Sequence, residues 1–290
     1  MSTATSSRRF PLWAMAIALC CSLPRPAAAL SLLDADGNPR EELLQVGRVL
    51  GLGWGSTARS INAYAQAHLL RPPHRERHRM ANSPYENRWD DLQPALEALG
   101  MLQAVDPPPG HHDHLLLMGQ TIPMMRGQLE FIRRRREISF GRVTFLSGRR
   151  PIDPAIDGPD RLTSLAKDEG EAAQMLLDEY FPGDGRTSTV AVPMHPDGRR
   201  PNTRDTVRAW LAEGPEPSSV LVVSTNPFIP YQLETVRGEL ARAWPEGSYR
   251  LAICGDDVHR LYRRGNRVAI LLDCLARQLY TELTYRGELD

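Results

Sequence analysis

Apolar residues recur along this chain with two different textures. Up to about position 105 they follow a helical spacing, over Glu41–Leu50, over 56–70 and over 85–102. In the last of these, Trp89, Leu92, Leu96 and Leu99 fall on one side, and Pro94 predicts a kink or a split. Gly51-Leu52-Gly53-Trp54-Gly55 lies between two helical patterns rather than after a strand, so it reads as a helix-helix turn capped by Ser56. The run Asp106-Pro107-Pro108-Pro109-Gly110 closes this part and marks a boundary. Beyond it come short continuous apolar runs, the pattern of strands buried on both faces: 115–119, 142–148, 190–192, 220–224 and 249–254. Helical patterns alternate with them over 123–136, Glu169–Tyr180, 203–212, 230–244 and 268–285. Five alternations predict an α/β domain. Its parallel sheet would carry helices on both faces, joined by right-handed crossovers. Residues 149–168 read as a long irregular segment, a length often functional in compact domains.

Such sheets bind ligands beyond the carboxyl ends of their strands, which turns the pattern into a list of candidate residues. The first strand delivers Gly119 and Gln120, the second Ser147, Gly148, Arg149 and Arg150. The third leads through His195 to the polar stretch Arg199-Arg200-Pro201-Asn202-Thr203-Arg204-Asp205-Thr206. The fourth delivers Ser224 and Asn226, with Tyr231 and Gln232 at the start of its helix. Helix N-termini gathered at one edge favour an anion, and Arg149, Arg150, Arg199 and Arg200 are positioned to clamp it. Asn202, Thr203, Asn226 and Gln232 would orient it, and Glu171 or Asp205 would supply acid-base chemistry. Asn202 and Thr203 serve equally well as a helix cap, with Asp205 a favourable first-turn acid. His111-His112-Asp113-His114 falls at the opposite edge and reads as a polar loop entering the first strand rather than a metal site.

Composition narrows the classes. Net charge is zero, which gives no global pull toward nucleic acid or anionic lipid. Lys167 is the only lysine, so an anion site here would use guanidinium groups. Residues 1–29 have the form of a signal peptide: Arg8 and Arg9, an apolar run over 10–23, and Ala27-Ala28-Ala29 before the cleavage point. They predict export to the periplasm or beyond, with no transmembrane span after cleavage. Cleavage leaves Cys254 and Cys274, as two buried thiols or one bridge. The arginine-rich stretch 71–79 reads as a solvated linker. No nucleophile elbow, phosphate-binding loop or zinc-protease motif occurs, although Ser147, His195 and Asp205 have the side chains of a triad.

At these residues the chain resembles the bacterial family of α/β domains that includes SanA, ElyC and YdcF. The resemblance is carried by Met118-Gly119, Ser147-Gly148, Glu171-Ala172-Ala173-Gln174-Met175, Asn202-Thr203-Arg204-Asp205-Thr206 and Val223-Ser224-Thr225, in the family's order. Arg149 stands where the family has a second glycine, Asp205-Thr206 where it has Glu-Asn, and Tyr231-Gln232 where it has Arg-Ala. The resemblance implies a three-layer Rossmann-like fold over 111–290, behind a helical extension over 30–110, and a role in the cell envelope. One branch of the family is reported to bind S-adenosylmethionine, which an exported protein would rarely meet, and no cofactor is assigned here. The expectation is an exported protein that binds a small anionic molecule or envelope precursor. A hydrolase or transferase on a phosphorylated or glycosyl substrate, and a non-catalytic scaffold, are its rivals.

Overall fold

A computed structural model of the protein describes residues 30–72, 77–257 and 266–289. The expected signal peptide therefore lies outside the described residues, as does part of the arginine-rich stretch.

The fold is a three-layer α/β sandwich of the Rossmann-like kind. Five parallel strands, β1 (Gly110–Met118), β2 (Ile138–Gly148), β3 (Thr187–Val192), β4 (Ser219–Thr225) and β5 (Arg250–Asp256), stand in the order β3-β2-β1-β4-β5. The chain winds outward from β1 to β3, then returns to the other side of β1 for β4 and β5. This reversal places a topological switch point between β1 and β4, where the connections diverge and leave a crevice. β1 begins earlier than its apolar run suggests. His111, His112 and His114 are strand residues, in register with Ser139, Phe140 and Arg142. Backbone pairing overrides the polar side chains there, and the histidines point to different partners: Ser139 Oγ, the Pro108 carbonyl, and the Trp210 ring.

Alternate residues of each central strand feed opposite faces. Leu115, Leu117, Val143, Phe145, Leu221 and Val223 pack beneath α4 (Ile122–Arg133) and α7 (Glu169–Tyr180). Leu116, Met118, Leu146, Val220 and Val222 pack beneath α8 (Thr203–Leu211) and α9 (Ile229–Ala243). The segment over 149–168 is less irregular than expected. It holds two short helices, α5 (Pro154–Asp157) and α6 (Arg161–Leu165), each capped by an aspartate side chain, Asp153 and Asp160.

The N-terminal helices are α1 (Glu41–Leu50), α2 (Ala58–His68) and α3 (Trp89–Ala98). Thr57, not Ser56, caps α2, in a reciprocal box with Ser60. The prolines near 106–110 separate these helices in sequence but not in the core. Leu43, Ile61, Leu92, Leu96 and Leu99 share one buried cluster with Leu271, Leu275 and Leu279 of the closing helix α10 (Arg267–Tyr285). α10 packs closely on α9 because Gly238 has no side chain: a Cβ there would lie 2.2 Å from the Tyr285 ring. Asn226, at the end of β4, donates to the carbonyls of Gly100 and Gln103 and ties the helical layer to the sheet edge. No helix among the described residues is long and apolar enough to cross a membrane. Cys254 and Cys274 are free, buried thiols, and burial pushes Cys274 up to about 12.

Candidate functional site

A cavity of about 860 Å³ opens at the switch point. One wall is built from strand ends: Gly119, Gln120 and Thr121 after β1, Gly148 and Arg150 after β2, Arg200 to Thr203 before α8, and Tyr231 and Gln232 at the start of α9. The other is built by the helical layer: Arg71, Arg77, Arg79 and Met80 from the connection after α2, and Asn266, Ile270 and Arg277 from α10. The cleft is thus completed by parts of the chain that lie outside the α/β pattern.

Glu169 anchors the strand-end wall. It opens α7, is 3% exposed, and its side chain lies against Gly119, where a Cβ would come within 2.5 Å of Oε1. Glycine at the end of β1 therefore makes room for this carboxylate. Both oxygens are engaged. Oε1 accepts from Ser147 Oγ at 3.1 Å and the Gly148 N–H at 3.3 Å. Oε2 accepts from Arg150 at 3.2 Å and from Arg200 at 3.3 Å. Arg150 also grips Asp157 through two bonds of 2.8 Å. Burial works against the Arg150 charge, but the bonds to Asp157 and Glu169 outweigh it and hold the guanidinium above its ordinary value. Burial likewise opposes the Asp157 charge, while Arg150 and the N–H groups of Asp153 and Ile122 hold that carboxyl below its ordinary value.

Asp273 anchors the helical wall. It is fully buried on α10 and accepts from Arg77 at 3.3 Å, from Arg277 at 3.1 Å and from the Arg71 N–H at 3.1 Å. These partners outweigh its desolvation and keep its carboxyl below the usual range. The Arg77 guanidinium lies over the Phe228 ring at 4.7 Å from its centre. Several polar atoms along the cavity have no hydrogen-bond partner among the described residues: both amide atoms of Gln120, Thr121 Oγ1 and Asn266 Oδ1. Asn266 as a residue is only 4% exposed.

The cavity unites Gly119, Gln120, Gly148, Arg150, Arg200, Asn202, Thr203, Tyr231 and Gln232. The other expected residues turn elsewhere. Arg149 is exposed, and its N–H continues the sheet by donating to Val192. Arg199 is exposed beside Asp197. Glu171 accepts from the Lys167 N–H and pairs with its side chain, away from the cavity wall. Asp205 closes a reciprocal cap with Asn202 and receives His195 at 3.1 Å. Asn202 thus both caps α8 and lines the cavity. Ser147 is fully buried and hydrogen-bonds Glu169, while the His195 ring bonds Asp205, so the three are not linked as a triad. Ser224 hydrogen-bonds Gln232 and steadies it, and Asn226 acts as the tie to the helical layer. The pattern-based reading missed Glu169, Asp157, Asp273, Asn266 and the arginines at 71, 77, 79 and 277.

No family model, curated protein or solved structure matches the chain. Gly119, Gly148 and Thr225 lie at or just beyond the ends of β1, β2 and β4.

Proposed function

We propose that the protein binds a small anionic molecule in the cleft at the β1/β4 switch point. One observation carries this reading. Arg71, Arg77, Arg79, Arg150, Arg200 and Arg277, drawn from four separate parts of the chain, line one cavity in which Glu169 is the only lining carboxylate among the described residues. Guanidinium groups gathered in a partly desolvated crevice favour phosphate or carboxylate, because their planar forks match those anions and low local polarity strengthens the attraction.

Glu169, the carboxylate at the centre, has both oxygens occupied by donors and acts as a positioning group rather than a free base. Export and a role in the cell envelope belong to the same proposal and rest on the form of residues 1–29 and on the family resemblance. Calorimetric titration of the mature chain with inorganic phosphate and pyrophosphate tests the binding. Saturable binding of one anion per chain, weakening as sodium chloride rises, is the expected outcome. Absence of saturable binding for both probes at low salt would overturn it.

A further inference from the structure

The face formed by α8 and α9 gathers an excess of positive charge around one carboxylate. Arg204 and Arg208 of α8 and Arg242 of α9 all pair with Glu239 of α9. Four residues separate Arg204 from Arg208, which sets both on one side of α8. Arg208 donates to Glu239 through Nε at 2.7 Å and Nη2 at 3.2 Å, and Arg242 through Nη1 at 3.4 Å. Arg204 approaches it at 3.6 Å. From α10 the Tyr285 hydroxyl donates to the same carboxylate at 2.6 Å. The Arg204 and Arg242 guanidinium groups lie 5.5 Å and 4.6 Å from the centre of the Tyr285 ring.

Glu239 is 4% exposed. Burial opposes its charge, but Arg208 and Tyr285 outweigh this and hold the carboxyl below its ordinary value. Burial also pushes Tyr285 up to about 12, so its hydroxyl keeps its proton. Three positive charges therefore meet one negative charge. Asp205 also acts on Arg208, but its bonds go to the α8 cap and to His195. None of the three arginines has another carboxylate within ion-pair distance among the described residues. A guanidinium carries several N–H donors, and not all are used here. Nη1 of Arg208 and Nε and Nη2 of Arg242 make no hydrogen bond among the described residues. The two side chains are 54% and 49% exposed, so these donors are open to an approaching group. Glu239 already holds the guanidinium groups in place, which lowers the ordering cost of binding.

We infer that this face binds an acidic segment of a partner protein, with Arg208 and Arg242 as its anchors. The planar forks already hold one carboxylate and can take others through their remaining donors. Arginine and tyrosine are residue types that dominate binding energy at protein interfaces. Paired with a single small anion on an exposed surface, they would gain little, whereas a run of carboxylates engages several forks at once. None of these residues lines the cleft, so the face is a site of its own.

A fluorescein-labelled hexaglutamate peptide, titrated with the mature chain at low salt and followed by anisotropy, tests this, with hexaserine as control. Hexaglutamate is expected to bind saturably and hexaserine not, with affinity falling as sodium chloride rises. Arg208→Gln and Arg242→Gln should each weaken hexaglutamate by about 5-fold or more. Each variant leaves two arginines on Glu239, and thermal melts show whether the fold is kept. Arg208→Lys keeps the charge without the fork and should fall between the wild type and Arg208→Gln, which keeps the test open if Arg208→Gln unfolds. The affinity for inorganic phosphate should be the same in all these variants. Hexaglutamate binding that is undiminished when Arg208→Gln and Arg242→Gln are combined overturns the assignment, as does a lack of saturable hexaglutamate binding. Phosphate affinity that falls in these variants assigns the arginines to a small anion. Sedimentation with phosphatidylglycerol vesicles that is lost in the variants, without hexaglutamate binding, assigns them to a membrane surface. Either result overturns the protein partner. A cleft that binds no phosphate leaves the hexaglutamate result standing, so the two readings fail separately.

Discussion

The strand-end wall and the helical wall of the cleft both present arginines around a buried carboxylate, yet they are built on opposite principles. At the strand ends, Glu169 has all its close donors inside the α/β domain: Ser147, Gly148, Arg150 and Arg200. That wall is a closed network, matched in charge and pinned by sheet geometry. Around Asp273 the donors come from α10 itself and from residues some two hundred positions earlier, with separations of 202 for Arg71 and 196 for Arg77. That wall exists only while the N-terminal layer is docked. The contrast shows how a fold can keep a rigid floor from its sheet and complete the cavity with a wall from a peripheral layer.

The comparison can be broken most strongly at Glu169. Glu169→Ala removes the partner shared by Arg150 and Arg200 inside a buried network, and a loss of about 3–5 kcal/mol is expected in denaturant unfolding. A loss below about 1 kcal/mol would mean that Asp157 alone suffices to hold Arg150.

The helical layer has its own sensitivity, to pH. Glu234, buried between α9 and α10, is pushed up to about 7 by burial, against the pull of Arg237. A carboxyl raised in the folded state binds its proton more tightly there than in the unfolded chain. Its contribution is therefore fully present below pH about 4.5 and is lost as pH rises through about 7. Burial also raises Glu282 across the same interface, so the two act in the same direction. Glu234→Gln should remove a decline on the order of 2 kcal/mol between acid and mildly alkaline pH. Thermal unfolding followed against pH checks this, and an unchanged slope in the variant would rule out Glu234 as its source.

Gly119→Ala probes the fit between β1 and Glu169. The new methyl would meet Glu169 Oε1 at 2.5 Å and the Leu146 carbonyl at 2.7 Å. Overpacking of about 1–3 kcal/mol is expected, with weaker anion binding because the Glu169 and Arg200 positions shift. The smallest effect belongs to Asn202→Ala, which removes the cap of α8 at about 1 kcal/mol. If Asn202 also touches ligand, the same variant lowers affinity by more than its stability loss explains, and comparison with Asp205→Ala separates the two roles. Asp205 shares the cap but does not line the cavity.

Much of the strand-end wall was legible in the chain. Gly119, Gly148, Arg150, Arg200 and Asn202 follow from strand ends and the rule that ligands gather there. Glu169 was readable in principle. It stands three residues before Ala172 and seven before Leu176, so it continues the buried stripe of α7, while Glu171 falls off that stripe. Glu171 stands in the same first turn, but its carboxylate turns to Lys167. Just beyond β2, Arg149 is exposed and Arg150 is buried.

By itself, then, the sequence determined the strands, the helices, their alternation and hence the edge at which the cleft opens. These depend on local period and on a general chirality of crossovers. Only the tertiary structure decided that α1 to α3 and α10 share one core, that Arg77 of a linker-like stretch turns inward to Asp273, and that His195 pairs with Asp205 instead of Ser147. Such pairings join residues far apart in the chain. No local period encodes them, because they are set by which faces remain to be covered once the sheet has formed.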